Sequence, residues 1–348
     1  MNDVSQTSGR LIIGSSGPVP GVALHSARYD ASGTLAIERS LPLAEPSYVA
    51  FDPCHAMLHA VLEEDIGRVA SIPLDLGEQR AEAASGGALP CHVAVHPDAP
   101  YVFVANYGDG VLSVLPTGED GRITSSSPVQ AVGHESGSHA HMAAISPDGR
   151  FVLCTDLGAD RVHVYAFDTV SGRLDLHGTV AVPDGRGPRH LVFHPSGRHA
   201  YLINELSCTL IACAWDAASG RLEPGAEVPT RRDAGSPVAN FSAAVRVSPD
   251  GRHVYSTDRG DDAIAVHAVT GGGAALERVE VVACGGAWPR DIALTPDGRL
   301  LFCANQRSHT VTAFHRDPET GRLAAAATAL AVPAPSALLP LHLAPAPL

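Results

Sequence analysis

A turn that recurs with a period near fifty residues constrains this chain more than any other feature. Turn prolines fall at Pro53, Pro97, Pro147, Pro195, Pro249 and Pro296, at intervals of 44, 50, 48, 54 and 47 residues. The last four open a P-[DS]-G-R turn, ending at Arg150, Arg198, Arg252 and Arg299. In such a turn Pro presets the first central φ and Gly takes a conformation that a Cβ resists. Flanking each turn are short β-branched or aromatic runs, such as HVAVHP with YVFVAN, HLVFHP with AYLINE and DIALTP with LLFCAN. Their length and composition are those of strands, and self-similarity at this period marks a repeat array.

A second kind of turn, of the Gly-Arg-Leu type, lies between successive proline turns, at Gly33, Gly77, Gly121, Gly172, Gly220, Gly273 and Gly321. Seven outer hairpins against six proline turns require one unit built from both ends of the chain. The run Leu11–Gly14 with its hairpin, and the stretch around Ala337–Leu341, supply that unit. The expected fold is therefore all-β, a seven-bladed β-propeller of four-stranded antiparallel blades in one domain over residues 1–348. An open β-solenoid fits less well, since its repeats are shorter and need caps. A TIM-like barrel fails for want of amphipathic helical segments between strands.

Strands within a blade alternate direction, so the proline turns lie on one face and the inner-strand starts and second-strand ends lie on the other. Six residues before each turn proline stand Ser47, Cys91, His141, Arg189, Ala243 and Arg290; five before stand Tyr48, His92, Met142, His190, Ala244 and Asp291. Ten residues after stand Glu63, Tyr107, Leu157, Glu205, Arg259 and Gln306. Positions that support a repeat resemble one another from copy to copy, whereas these columns vary and are rich in His, Arg, Glu and Gln. They are where a ligand at the channel mouth would be met. Glu205 and His141 are the candidate catalytic pair. Arg189, Arg259, Arg290, His92, His190 and Gln306 are the candidate binding residues. Such a set suits a small anionic substrate with a base nearby. Pairing between blades is the competing role for Glu205, Arg189 and Arg259, and a structural role the competing one for Arg290-Asp291. His96 and His194 abut the proline turns and read as scaffold.

The formal charge of −13 disfavours a nucleic-acid partner, which needs a basic face. No apolar run approaches the length of a membrane span, and the N-terminal residues lack a signal-peptide pattern. Seven scattered cysteines without a C-x-x-C motif argue against a disulfide framework or zinc knot, so the cytoplasm is the expected compartment. His139-x-His141 could present two imidazoles to a metal, but no carboxylate accompanies them in that segment. P-loop, Rossmann, H-E-x-x-H and G-x-S-x-G patterns are all missing, and neither a cofactor nor a metal is expected.

The stretches GPRHLVFHPSGRHAYLINEL, SHAHMAAISPDGRFVLCTDLGADRVHVY, RVSPDGRHVYSTDRGDDAIAVH and WPRDIALTPDGRLLFCANQ resemble the bacterial lactonase family of seven-bladed propellers. That family includes the propeller-type 6-phosphogluconolactonases and, more distantly, carboxy-cis,cis-muconate cyclase. The resemblance is densest from Pro90 to Leu323. It implies roles in catalysis or substrate binding for His141, Arg189, Glu205 and Arg259, which the repeat columns select independently. It further implies cofactor-independent hydrolysis of a sugar lactone, above all 6-phosphogluconolactone, with a phosphorylated or carboxylated lactone as the partner. Lactone formation by a cyclase, or a non-catalytic interaction platform, are the alternatives; either a monomer or a homo-oligomer is compatible. One departure is NFSAAVRVSP, with Ala244 where family members carry an acidic residue. A second is the shortened loop TRRDAGSPVAN, which is expected to overhang the channel.

Overall fold

The computed structural model describes residues 8–77, 79–233, 235–326 and 329–342. Within them, seven antiparallel sheets succeed one another as the blades of a propeller, and the fold is all-β as the repeat predicts. The blade formed by Pro188–Phe193, His199–Asn204, Thr209–Asp216 and Arg221–Pro229 shows the plan. Its proline turn joins the first two strands, and the Gly220 turn joins the last two. The turn glycines Gly149, Gly197, Gly251 and Gly298 have φ of 71°, 67°, 71° and 66°, the left-handed conformation that the P-[DS]-G-R pattern requires. One blade departs from the plan: its outer position is shared by Leu323–Ala325 and Leu330–Ala331, which pair successively with Thr310–Arg316.

The ring closes where the two ends of the chain meet. Pro335–His342 is the innermost strand of a blade whose other members are Gly9–Ser15, Ala23–Tyr29 and Leu35–Pro42, with Leu11 opposite Pro340 and Ile13 opposite Leu338. Alternation along these strands feeds two interfaces at once. Leu11, Ile13 and Tyr29 pack against Leu300 and Phe302 of the preceding blade, while Ile12, Leu24 and Leu41 pack against Leu58, Ala60 and Leu62 of the following one. Every blade face is thereby covered, and the hydrophobic core is a set of sandwiches between neighbours.

Polar ties lock the faces. On the proline-turn side, the His96 and His194 imidazoles donate from Nε2 to the carbonyl oxygens of Gly149 and Gly251, at 2.9 and 3.0 Å, so each histidine grips the turn of the next blade. On the opposite side, a carboxylate or amide ends the second strand and holds the loop that follows. Asn106 donates to Val111 O at 3.1 Å, Asp156 accepts from His139 N at 2.9 Å, and Asp258 accepts from Ser242 Oγ at 2.6 Å. Asn204 does the same by donating to Thr209 Oγ1 at 3.1 Å, and the residues after Asn106, Asn204 and Asp258, namely Tyr107, Glu205 and Arg259, line the channel mouth.

Phe302 is fully buried at the closing interface, its ring 5.2 Å from that of Tyr29. Phe302→Ala is expected to cost about 3–5 kcal/mol in urea unfolding, whereas Leu206→Ala, at a half-exposed loop position, should stay within about 0.5 kcal/mol.

Candidate active site

The inner-strand starts and second-strand ends converge at one mouth of the channel, around a cavity of about 180 Å³. Glu63, Cys91, Tyr107, His141, Arg189, Glu205, Arg259 and Arg290 line it. Five of the eight sequence-selected residues, His141, Arg189, Glu205, Arg259 and Arg290, therefore share one enclosure. At its centre, Glu205 Oε2 lies 3.0 Å from Arg189 Nε and 2.9 Å from Arg259 Nη2. The approach of Arg189 Nε is an ion pair without the alignment of a hydrogen bond.

Both guanidinium groups are held from behind. Arg189 Nη1 donates to Ala243 O at 2.5 Å, and Arg259 Nε donates to Phe241 O at 3.2 Å. The Arg259 guanidinium also lies 5.6 Å from the Phe241 ring and 5.4 Å from that of Trp288, within cation–π range. Burial, followed by the neighbouring charge of Arg259, pulls Arg189 down to about 10, which leaves it cationic at neutral pH. Burial also lowers Arg259, against the pull of Glu205.

His141 is buried on the cavity wall. Desolvation and the charges of Arg189, Arg290 and Arg259 hold its pKa well below the ordinary imidazole value, so it is neutral at physiological pH. Neither of its ring nitrogens is hydrogen-bonded to a described residue. Burial and the Glu63 charge push the Cys91 thiol up, which disfavours the thiolate, and its Sγ donates to His141 O at 3.3 Å. Tyr107 stacks on His139 with ring centres 4.4 Å apart and meets His141 edge-on at 5.8 Å. His139 Nδ1 donates to Tyr107 O at 2.8 Å. The His139-x-His141 pair is thus divided between a structural stack and the cavity wall.

The other three selected residues lie outside this lining. His190 and His92 form a buried layer one step deeper in the channel. The His190 ring is 5.2 Å from that of His141 and 5.8 Å from that of His92, and His92 packs on Tyr48 at 4.3 Å. Beside them Arg246 Nη2 donates to Asp291 Oδ1 at 2.8 Å. Asp291 is therefore the partner of Arg246, and Arg290 faces the cavity without it. Gln306 donates from Nε2 to Ser16 O at 2.8 Å, a tie between blades. The loop after Pro229 was expected to overhang the channel, yet none of its described residues lines the cavity. Arg231 at the loop's start pairs instead with Asp261 at 2.7 Å. Glu63, Cys91 and Tyr107 are the lining residues outside the candidate set; each stands in a repeat column, but a carboxylate, thiol or phenol in one blade carries no pattern of its own.

A family model described as "Lactonase, 7-bladed beta-propeller" matches residues 10–340. The chain belongs to the seven-bladed propeller lactonases. Among this family's curated members, the 6-phosphogluconolactonase of Bacillus subtilis is 33% identical over 313 residues, covering 86% of this chain and 88% of that protein. Among solved structures, the periplasmic gluconolactonase of Pseudomonas aeruginosa is 30% identical with a TM-score of 0.89, over 96% of this chain and 99% of that one. A protein from Lactobacillus plantarum is 28% identical with a TM-score of 0.88, over 96% and 100%.

The buried histidines of this lactonase channel make stability pH-dependent. Burial and the nearby Arg246 lower His92 to about 3, and burial with Arg189 lowers His190 well below its usual value. A depressed imidazole pKa favours the folded state above the unfolded value of about 6.5, and that contribution is lost as pH falls below it. Unfolding free energy is expected to drop steadily between pH 6.5 and 4, and His92→Phe should flatten that slope when both proteins are titrated by urea denaturation.

Proposed function

We propose that this chain hydrolyses a sugar lactone without a cofactor, with 6-phosphogluconolactone and glucono-δ-lactone as the lactones to test. The carrying observation is a carboxylate that fixes two guanidinium groups beside a neutral, unengaged histidine in one small cavity. Ester-type hydrolysis needs three things: water made nucleophilic, stabilisation of the developing oxyanion, and return of a proton to the leaving alkoxide. His141 accepts the proton of the attacking water, since Glu205 has its charge committed to Arg189 and Arg259. As the carbonyl carbon becomes tetrahedral, its oxygen gains negative charge next to those guanidinium groups, whose positions Glu205 has already set. The new charge also raises the basicity of His141 at the step that requires it. Collapse of the intermediate breaks the ring C–O bond, and the protonated His141 returns its proton to the alkoxide.

Glu205 is on this reading a positioning residue for the arginines. The remaining charged members of the lining, Glu63 and Arg290, face the rest of the substrate. All seven cysteines are free and Cys54 is exposed, which supports a reducing compartment such as the cytoplasm. The periplasmic name of the Pseudomonas relative applies to that protein.

The test is steady-state kinetics on both lactones, corrected for spontaneous ring opening. Arg189→Ala and Glu205→Gln are each expected to lower kcat by about 100-fold or more. Rates near wild type in both would remove the assignment. Because His141 of the resting enzyme is already neutral around pH 6.5, kcat/KM should show no inflection there, and one there would return the base role to a group with an ordinary imidazole pKa.

A further inference from the structure

Glu63 and Glu205 stand at the same position of the repeat, ten residues after the turn prolines of two different blades, and both line the cavity. Their surroundings differ. Glu205 Oε2 meets two guanidinium groups at 3.0 and 2.9 Å. Glu63 has Arg290 Nη2 at 4.0 Å, outside hydrogen-bond distance, and its Oε2 is buried with no hydrogen-bond partner among the described residues. A buried charged acceptor left without donors is costly, so such a group within a cavity signals a ligand that supplies them. The main chain there is not free to turn away: Glu63 N donates to Glu45 O at 2.9 Å, and the Glu45 carboxylate accepts from Ser16 Oγ at 2.6 Å and Gly17 N at 2.8 Å.

We infer that Glu63, together with Arg290, reads the hydroxyl groups of the substrate and is the determinant that selects polyhydroxylated lactones. This rests on the lactone-hydrolase reading above. An ionised carboxylate only accepts and a guanidinium only donates, and a sugar hydroxyl does both. Side by side, the two groups therefore match a hydroxyl or a vicinal pair of them. A phosphate or carboxylate of the substrate would meet Glu63 with like charge, so the hydroxyl-bearing side of the sugar is the part that this wall receives. Sites built to hydrogen-bond a hydroxyl discriminate strongly against analogues that lack it, because their polar groups are then left unpaired.

The experiment compares glucono-δ-lactone with the hydroxyl-free δ-valerolactone on the full chain, using wild type, Glu63→Gln and Glu63→Ala, with thermal melts of all three. Both variants are expected to melt as wild type does and to lose about 10- to 100-fold in kcat/KM for gluconolactone, chiefly through KM. Their loss in kcat/KM for valerolactone should be several-fold smaller than that for gluconolactone, and Glu63→Asp should recover part of the loss on the sugar. An equal loss on both lactones, or no loss on gluconolactone, overturns the role of Glu63 while leaving hydrolysis intact. A wild-type protein inactive on every lactone overturns the hydrolase reading and this inference with it.

Discussion

Everything in this molecule depends on one antiparallel pairing, that of Pro335–His342 with Gly9–Ser15. A blade of four strands has two apolar faces, and each needs a neighbour. In a linear stack the end blades would leave one face open, as in solenoids that require caps. Pairing the chain's two ends within one blade removes the ends altogether, and Leu11 and Ile13 then cover Phe302 and Leu300 just as Ile12 and Leu24 cover Leu58 and Leu62. The closed ring also has a functional consequence. It converts a position along the repeat into a place around an axis, so that residues some fifty apart in sequence arrive on the walls of one cavity.

What the axis holds is decided by electrostatics more than by packing. In a chain of formal charge −13, three arginines and two glutamates line a cavity of about 180 Å³. Glu205 neutralises part of that cluster and fixes the geometry of Arg189 and Arg259. Burial, and after it the residual positive field of the arginines, holds the His141 pKa well below the ordinary imidazole value, since protonating it would add a charge to a desolvated and already cationic site. Below this level Arg246 is neutralised by Asp291, and His92 and His190 stay uncharged, so the middle of the channel carries no net charge of its own.

The fold was legible because its signals are local and repeated. A turn proline with a glycine at positive φ recurs, and each copy confirms the others; the closing strand could be found by the mismatch between two counts of turns. The arginine and glutamate cluster was legible for the opposite reason, as departures from the repeat at fixed distances from Pro195, Pro249 and Pro296. Depth was not legible. His141 and His190 differ by one register position in neighbouring blades, yet a bulge at each inner-strand start sends the first to the cavity and the second beneath it. Partner choice was hidden as well: Arg290 and Asp291 are adjacent in sequence, but the carboxylate turns to Arg246 of the preceding blade and the guanidinium to the cavity. Such choices depend on distances between blades that no single strand encodes.

The two mouths of the channel show why size is a poor guide to the site. The opening on the proline-turn side is larger, about 810 Å³, and is walled by the inner strands with Phe51, Ile145, Phe193, Leu294 and Leu339. Its one cationic group, Arg246, is already committed to Asp291, and His92 at its inner end is held neutral. That mouth offers surface but no convergent polar groups, because the turns there are what the repeat conserves within itself, copy after copy. The smaller mouth is where the strands end in loops anchored by Asn106, Asp156, Asn204, Asp258 and Asn305, and a loop held at its first residue can vary at its second without cost to the blade. The candidate site collects at that end because there, unlike at the proline-turn rim, the scaffold leaves each blade a residue free to differ.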